Sequence, residues 1–176
     1  PMMVNAILAL PQFKEYDVSS MRRILIGGAP PPTGMIEQVE EAFGCLTHTG
    51  FGMTEACPLI ALPELGPHLD PKVRQHRIEK TWGFPMPGVE FRIVDAEGKD
   101  LPWDGQAVGE LLVRGDMVMK GYYNSPRQTA ETLEGGWYHT GDLVAIGPDG
   151  SLYVKDRLKD IIISGGENIS SLEVEA

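Results

Sequence analysis

An apolar run, Ile24-Leu25-Ile26, ends in Gly27-Gly28-Ala29-Pro30-Pro31-Pro32, the pattern of a buried strand leading into a tight turn. Past the prolines the period changes. Met35, Ile36, Val39, Ala42 and Phe43 share one face of a helix, with Thr33 as its cap and Gly44 as its stop. Leu46-Thr47-His48-Thr49 predicts the next strand, followed by Gly50-Phe51-Gly52-Met53-Thr54. Strand, helix and strand of these lengths predict a right-handed crossover between parallel strands. That topology sets two glycine-rich turns side by side at the carboxyl ends of neighbouring strands, where open parallel sheets bind ligands. Glycines that only make tight turns would leave the same pattern.

After the proline-rich stretch 58–88 the pattern turns to β. Glu90-Phe91-Arg92-Ile93-Val94 alternates, Gly109-Glu110-Leu111-Leu112-Val113 predicts a second strand, and Val118-Met119 a third that runs into Gly121-Tyr122. Ser125, Pro126 and Gln128 have the spacing of a capping box with proline at the first helical position. Leu143-Val144-Ala145-Ile146 and Ser151-Leu152-Tyr153-Val154 flank Gly147-Pro148-Asp149-Gly150, a hairpin signal. Ser170 and Glu173 form another capping box close to Ala176, so the chain is expected to stop just inside a new element. Pro1 is an unusual start, and further sequence is expected upstream.

The composition, 42% hydrophobic and 23% charged over 176 residues, is that of a globular chain. A net charge of −10 argues against a nucleic-acid backbone as partner, since no basic stripe is present to displace counterions. It leaves room for a phosphate ligand, which backbone N–H groups can hold locally. No apolar run has the length of a membrane-spanning helix. Cys45 and Cys57 lack partners at zinc-site spacing, and two free thiols suit a reducing compartment.

The chemistry emerges from several short segments taken in order. Gly27-Gly28-Ala29-Pro30, Gly50-Phe51-Gly52-Met53-Thr54-Glu55, Gly109-Glu110-Leu111 with Gly115 and Gly121-Tyr122, Tyr138-His139-Thr140-Gly141-Asp142, and Lys155-Asp156-Arg157-Leu158-Lys159-Asp160 all resemble motifs of the adenylate-forming enzymes. That superfamily includes acyl-CoA synthetases, luciferases and the adenylation domains of peptide synthetases. The resemblance implies an α/β fold: a parallel-sheet α/β portion at about 1–60 and a β-rich part at about 85–156, both within the large AMP-binding domain, then a hinge. Residues 157–176 would be that hinge and the start of a small C-terminal α+β domain. It also implies that a carboxylate is joined to the α-phosphate of ATP with release of pyrophosphate, and that the acyl group then passes to a thiol.

Roles follow from the same resemblance. Gly28, Ala29 and Pro30 would line the adenine, and Phe51, where the family often has tyrosine, would stack on it, with Gly50, Gly52 and Met53 beside it. Thr54 would donate to the α-phosphate and Glu55 would hold Mg²⁺. Asp142 would accept hydrogen bonds from both ribose hydroxyls, although an aspartate after glycine also suits a plain turn. Arg157 would contact ribose or phosphate, or else form a surface ion pair with Asp156 or Asp160. Lys159 would be the pivot on which the C-terminal domain turns between half-reactions. Gly165 and Gly166 would then lie along the pantetheine arm of coenzyme A.

The family's phosphate loop with its lysine, and its late adenylation lysine, have no counterpart in this chain and would lie outside it. Some relatives, luciferases among them, carry a lysine four residues after the pivot, where this chain has Ile163. Ile161 through Ser171 is more similar to fatty-acyl and related CoA synthetases, which implies ligation of a carboxylic, aliphatic acid to coenzyme A. Such enzymes are cytoplasmic or, in eukaryotes, peroxisomal. If the natural chain were only this segment, a non-catalytic nucleotide-binding or interaction module would be the alternative.

Overall fold

A computed structural model describes residues 1–28, 31–32, 34–63, 70, 73, 81–158, 162–164 and 167–169. An N-terminal helix, α1 (Met2–Leu8), precedes β1 (Arg23–Gly27), α2 (Met35–Phe43) and β2 (Leu46–Gly52). β1 and β2 are parallel, in a register that pairs Gly27 with Gly50, as the expected crossover requires. Met35, Ile36, Val39 and Phe43 are the buried face of α2. They pack on Ile26 and Cys45, and Phe13 meets Phe43 edge-on at 5.1 Å. Gly44 ends α2 in the left-handed conformation at φ 62°, which costs glycine no Cβ clash. At the other end the residue in the cap position is Gly34, with no side-chain cap bond. Thr33, the expected cap, lies outside the described residues.

The segment Gly50–Gly52 is not a turn. It continues β2, which then pairs antiparallel with β3 (Leu59–Leu62), and β3 pairs with β4 (Phe84–Pro85). The reason is steric. A Cβ on Gly52 would overlap the Pro58 carbonyl and stand 2.7 Å from the Leu59 Cα, so only glycine lets the chain double back this tightly.

The second sheet is an antiparallel meander of β5 (Glu90–Val94), β6 (Gly109–Arg114), β7 (Tyr138–Ile146) and β8 (Leu152–Arg157). Its inner face carries Phe91, Ile93, Leu111, Val113, Val144, Ile146 and Leu152, packed in one cluster with Ile60 and Ala61 of the first sheet and with Ala56 from the turn after β2. The shared core therefore fixes the turn after β2 against the meander. Val118-Met119 is not a strand. The Val118 N–H closes a turn onto the Gly115 carbonyl, and the Met119 N–H donates to the Glu55 carbonyl at 2.7 Å, which leaves no ladder for a third strand.

Helix α3 (Pro126–Thr132) has Pro126 at its start and Ser125 in the cap position. The Ser125 hydroxyl makes no cap bond and donates instead to Gln128 Oε1 at 3.4 Å. A short hairpin, β9 (Ile162–Ser164) and β10 (Glu167–Ile169), closes the described chain. The helix expected from Ser170 and Glu173 lies outside the described residues.

Candidate active site

The site is built where β6 and β7 lose register. Glu110 faces Leu143 and Leu112 faces His139, so β7 carries extra residues opposite Leu111 and bulges. Gly141, at φ 70°, makes the bend. Glu110 clamps it: one carboxylate oxygen lies 3.0 Å from His139 Nδ1 and the other accepts the Gly141 N–H at 3.1 Å. The Thr140 hydroxyl donates to the Leu111 carbonyl at 2.8 Å and accepts the Asp142 N–H at 3.1 Å. The bulge turns Asp142 inward, where it is 3% exposed.

Asp142 Oδ1 accepts from Arg157 Nε at 3.0 Å, across a β7–β8 pair that also places the two residues opposite each other. The arginine, whose side chain is 55% exposed, therefore pairs with Asp142, which neither of its expected surface partners foresaw. Asp142 Oδ2 is buried without a hydrogen-bond partner among the described residues. Burial pushes the Asp142 carboxyl above the usual carboxylate range. The Arg157 charge and hydrogen bond oppose that rise, while Glu110 and Glu55 add to it. A buried acceptor with a free lone pair is a costly feature unless a donor arrives to fill it.

Across the cleft, Met53 leads into a single 3₁₀ turn, Thr54–Ala56. Its geometry is held by the Met53 N–H on the Pro58 carbonyl at 2.6 Å and by Ala56, which is fully buried. Thr54 is thereby left exposed while Glu55 points to the cleft wall. Tyr122 Oη donates to Glu55 Oε1 at 3.0 Å, and Tyr122 and Tyr138 line the same cleft. Burial, then the charge of Glu55, raises the Tyr138 hydroxyl above the ordinary tyrosine range, so it stays protonated and neutral.

Between these walls lies a cleft of about 320 Å³, lined by Met53, Glu55, Glu110, Tyr122, Gly141 and Arg157 among others. Met53, Glu55 and Arg157 line this one cleft, and Asp142 is tied to it through Arg157. Gly28 stands at the end of β1 at φ 88°. Phe51 lies edge-on to Trp82 at 5.8 Å and packs on the shared core. Ala29, Pro30, Lys159, Gly165 and Gly166 lie outside the described residues. In the sequence, Glu110, Tyr122 and Tyr138 stand only as parts of motifs. Their roles depend on partners far along the chain, which no local pattern displays.

Among the described residues no group of His, Cys, Asp and Glu side chains could enclose a metal. Glu55 as a lone carboxylate does suit Mg²⁺, which takes one or two protein oxygens and completes its shell with water and substrate phosphate. Charge supports the fit. Among the described residues here, Glu55, Glu110 and Asp142 stand against the one guanidinium of Arg157, so these walls would admit a polyphosphate far more readily with a cation beside Glu55.

Comparison with known proteins places this geometry. The chain matches the amide bond synthetase McbA from Marinactinospora thermotolerans at 36% identity and a TM-score of 0.79, covering 99% of this chain and 34% of that one. It matches the o-succinylbenzoate coenzyme A synthetase of Bacillus subtilis, solved with ATP and magnesium ion, at 34% identity and a TM-score of 0.77, with the same coverage. The fold is that of the adenylate-forming enzymes, with its mixed α/β sheets. The AMP-binding enzyme family profile matches residues 1–123, and the chain belongs to that family. Among curated relatives, 3-methylmercaptopropionyl-CoA ligase of Ruegeria lacuscaerulensis is 44% identical over 90% of this chain and 29% of its own length. Feruloyl-CoA synthase of an Amycolatopsis species is 42% identical over 99% of this chain and 34% of its own. The chain therefore spans about a third of the length of the curated relatives it matches. No helix among the described residues is long and apolar enough to cross a membrane.

Proposed function

We propose that the protein carrying this chain is an AMP-forming acid–CoA ligase, and that the chain supplies the ribose and cation wall of its nucleotide site. Residues 1–156 would belong to the large AMP-binding domain and 157–176 to the hinge and the start of the C-terminal domain. One observation carries the reading: Asp142 is buried, held in place by Glu110 and Thr140 through the backbone, and keeps one oxygen without a donor among the described residues. Ribose offers adjacent hydroxyls that donate to such a carboxylate, and Arg157 would fix the other oxygen while reaching ribose or phosphate with its remaining N–H groups.

The other residues take their places around that anchor. Phe51 stacks on adenine, with Gly28, Ala29 and Pro30 giving its backbone access. Thr54 donates to the α-phosphate and Glu55 holds Mg²⁺, whose charge offsets that of the phosphates. A carboxylate oxygen of the acid then bonds to the α-phosphorus as pyrophosphate leaves. Turning about Lys159 brings Gly165 and Gly166 alongside coenzyme A, whose thiolate attacks the acyl carbon and displaces AMP.

The acid is proposed to be aliphatic, on the likeness of Ile161–Ser171 to fatty-acyl synthetases. The relatives' names span feruloyl, methylmercaptopropionyl and 4-hydroxybutyrate, so a test panel must cover aromatic and short substituted acids too. The full-length protein is incubated with ATP, Mg²⁺, coenzyme A and each acid, and products are read by mass spectrometry. Acyl-CoA with AMP and pyrophosphate supports the reading. ADP with phosphate, or no thioester from any acid, sinks it.

A further inference from the structure

The loop that follows β6 does more than connect elements. Its middle is tied to Glu55 twice, the Met119 N–H to the Glu55 carbonyl at 2.7 Å and the Tyr122 hydroxyl to Oε1 at 3.0 Å. The first bond fixes the backbone of the turn and the second fixes the carboxylate. Tyr122 is itself pinned from behind. Its N–H donates to Thr129 Oγ1 at 2.9 Å, and that hydroxyl donates to the Ser125 carbonyl at 2.9 Å, in the first turn of α3. Gly121 permits the approach, because a Cβ there would stand 2.6 Å from Thr129 Cγ2.

An unheld glutamate samples many rotamers, and a cation that uses it must first order it. Tyr122 removes that freedom at one oxygen and leaves Oε2, which has no hydrogen-bond donor among the described residues, for the metal. We propose that Tyr122, supported by Thr129, is a positioning residue for the divalent cation, acting through Glu55. This rests on the reading of Glu55 as the cation ligand. Partners of this kind behind a metal ligand typically change metal affinity about 10-fold to 100-fold when removed.

The test is a binding measurement on the full-length protein without acid substrate, so that ATP is not consumed. Calorimetry gives the ATP dissociation constant with Mg²⁺ and with EDTA, and their ratio is the factor by which Mg²⁺ strengthens binding. AMP affinity without metal is measured beside it. Tyr122→Phe keeps the ring and deletes only the hydroxyl. It is expected to lower the Mg²⁺ factor roughly 10-fold, with AMP affinity unchanged. Glu55→Gln should lower it at least as far. If Glu55→Gln lowers the factor and Tyr122→Phe does not, Tyr122 has no positioning role and the Glu55 reading stands. If Glu55→Gln leaves the factor unchanged, both fall. If Tyr122→Phe weakens AMP as much as Mg²⁺-ATP, its role is merely structural, and the proposal is overturned.

Discussion

Replacing Asp142 by alanine separates a binding residue from a structural one, because the two readings move stability and affinity in different ways. Asp142 is 3% exposed, and its carboxyl is raised by burial, so its charge is a net strain on the free protein. Removing it relieves that desolvation and leaves a small void. It releases Arg157, whose side chain is 55% exposed and stays hydrated. These effects oppose each other, and the melting temperature should stay within a few degrees of the parent's. Affinity is another matter. A hydrogen bond to a charged group contributes about 1.5–3 kcal/mol. Oδ2 can give this in full, but Oδ1 already serves Arg157 and adds less. The expected loss is about 2–4 kcal/mol, or roughly 30-fold to 1,000-fold in the AMP dissociation constant. Calorimetric titration of AMP into the full-length protein reads that loss, and thermal melting of the same samples reads stability. An unchanged dissociation constant would show that Asp142 is only a turn residue. A collapse in melting temperature would show that its place in the fold is structural.

The titration of the same group gives a pH dependence. Its folded pKa lies above the unfolded value, so the strain of burying it is present above the folded pKa and is relieved as pH falls through it. Nucleotide affinity runs the opposite way, since only the ionised form accepts both hydroxyls. AMP binding should weaken on acidification from a pH above the ordinary aspartate value of about 4, and that dependence should vanish in Asp142→Asn. A profile identical in parent and variant would refute it. Lys159→Pro tests the pivot, because proline locks φ near −65° and cannot absorb a domain rotation. Formation of acyl-adenylate should persist while transfer from adenylate to coenzyme A is suppressed. A stable variant that makes thioester at the parent rate would refute the pivot.

Local pattern revealed the elements whose signals are local. The crossover β1–α2–β2 was legible because an apolar run, a helical stripe and Gly44 follow each other within a few residues. The hairpin of β7 and β8 was marked by Gly147-Pro148-Asp149-Gly150. Leu59-Ile60-Ala61-Leu62 was overlooked between Pro58 and Pro63, and its strand exists because β2 and β4 flank it. Val118-Met119 misled for the converse reason: its apolar residues are β-prone, but Glu55 claims the Met119 N–H. At the site, Glu55, Asp142 and Arg157 were marked by their motifs. That Asp142 would pair with Arg157 and Glu110 would clamp His139 and Gly141 required strands to meet in a particular register, and that Tyr122 would hold Glu55 required a loop and a turn far apart in sequence to come together. A bulge in β7 decides all of the first two, and no spacing rule announces a bulge.

The central claim is that an acid is activated on the α-phosphate of ATP, and isotope exchange reads that step alone. Labelled pyrophosphate is supplied to the full-length protein with ATP and Mg²⁺, and label appearing in ATP is followed with and without each acid, coenzyme A being left out. Exchange that requires a carboxylic acid, and falls with Asp142→Ala, is the predicted result. Exchange driven by amino acids, with no later transfer to coenzyme A, would move the protein to another branch of the superfamily. No exchange with any acid, from a protein that still binds AMP, would contradict the account.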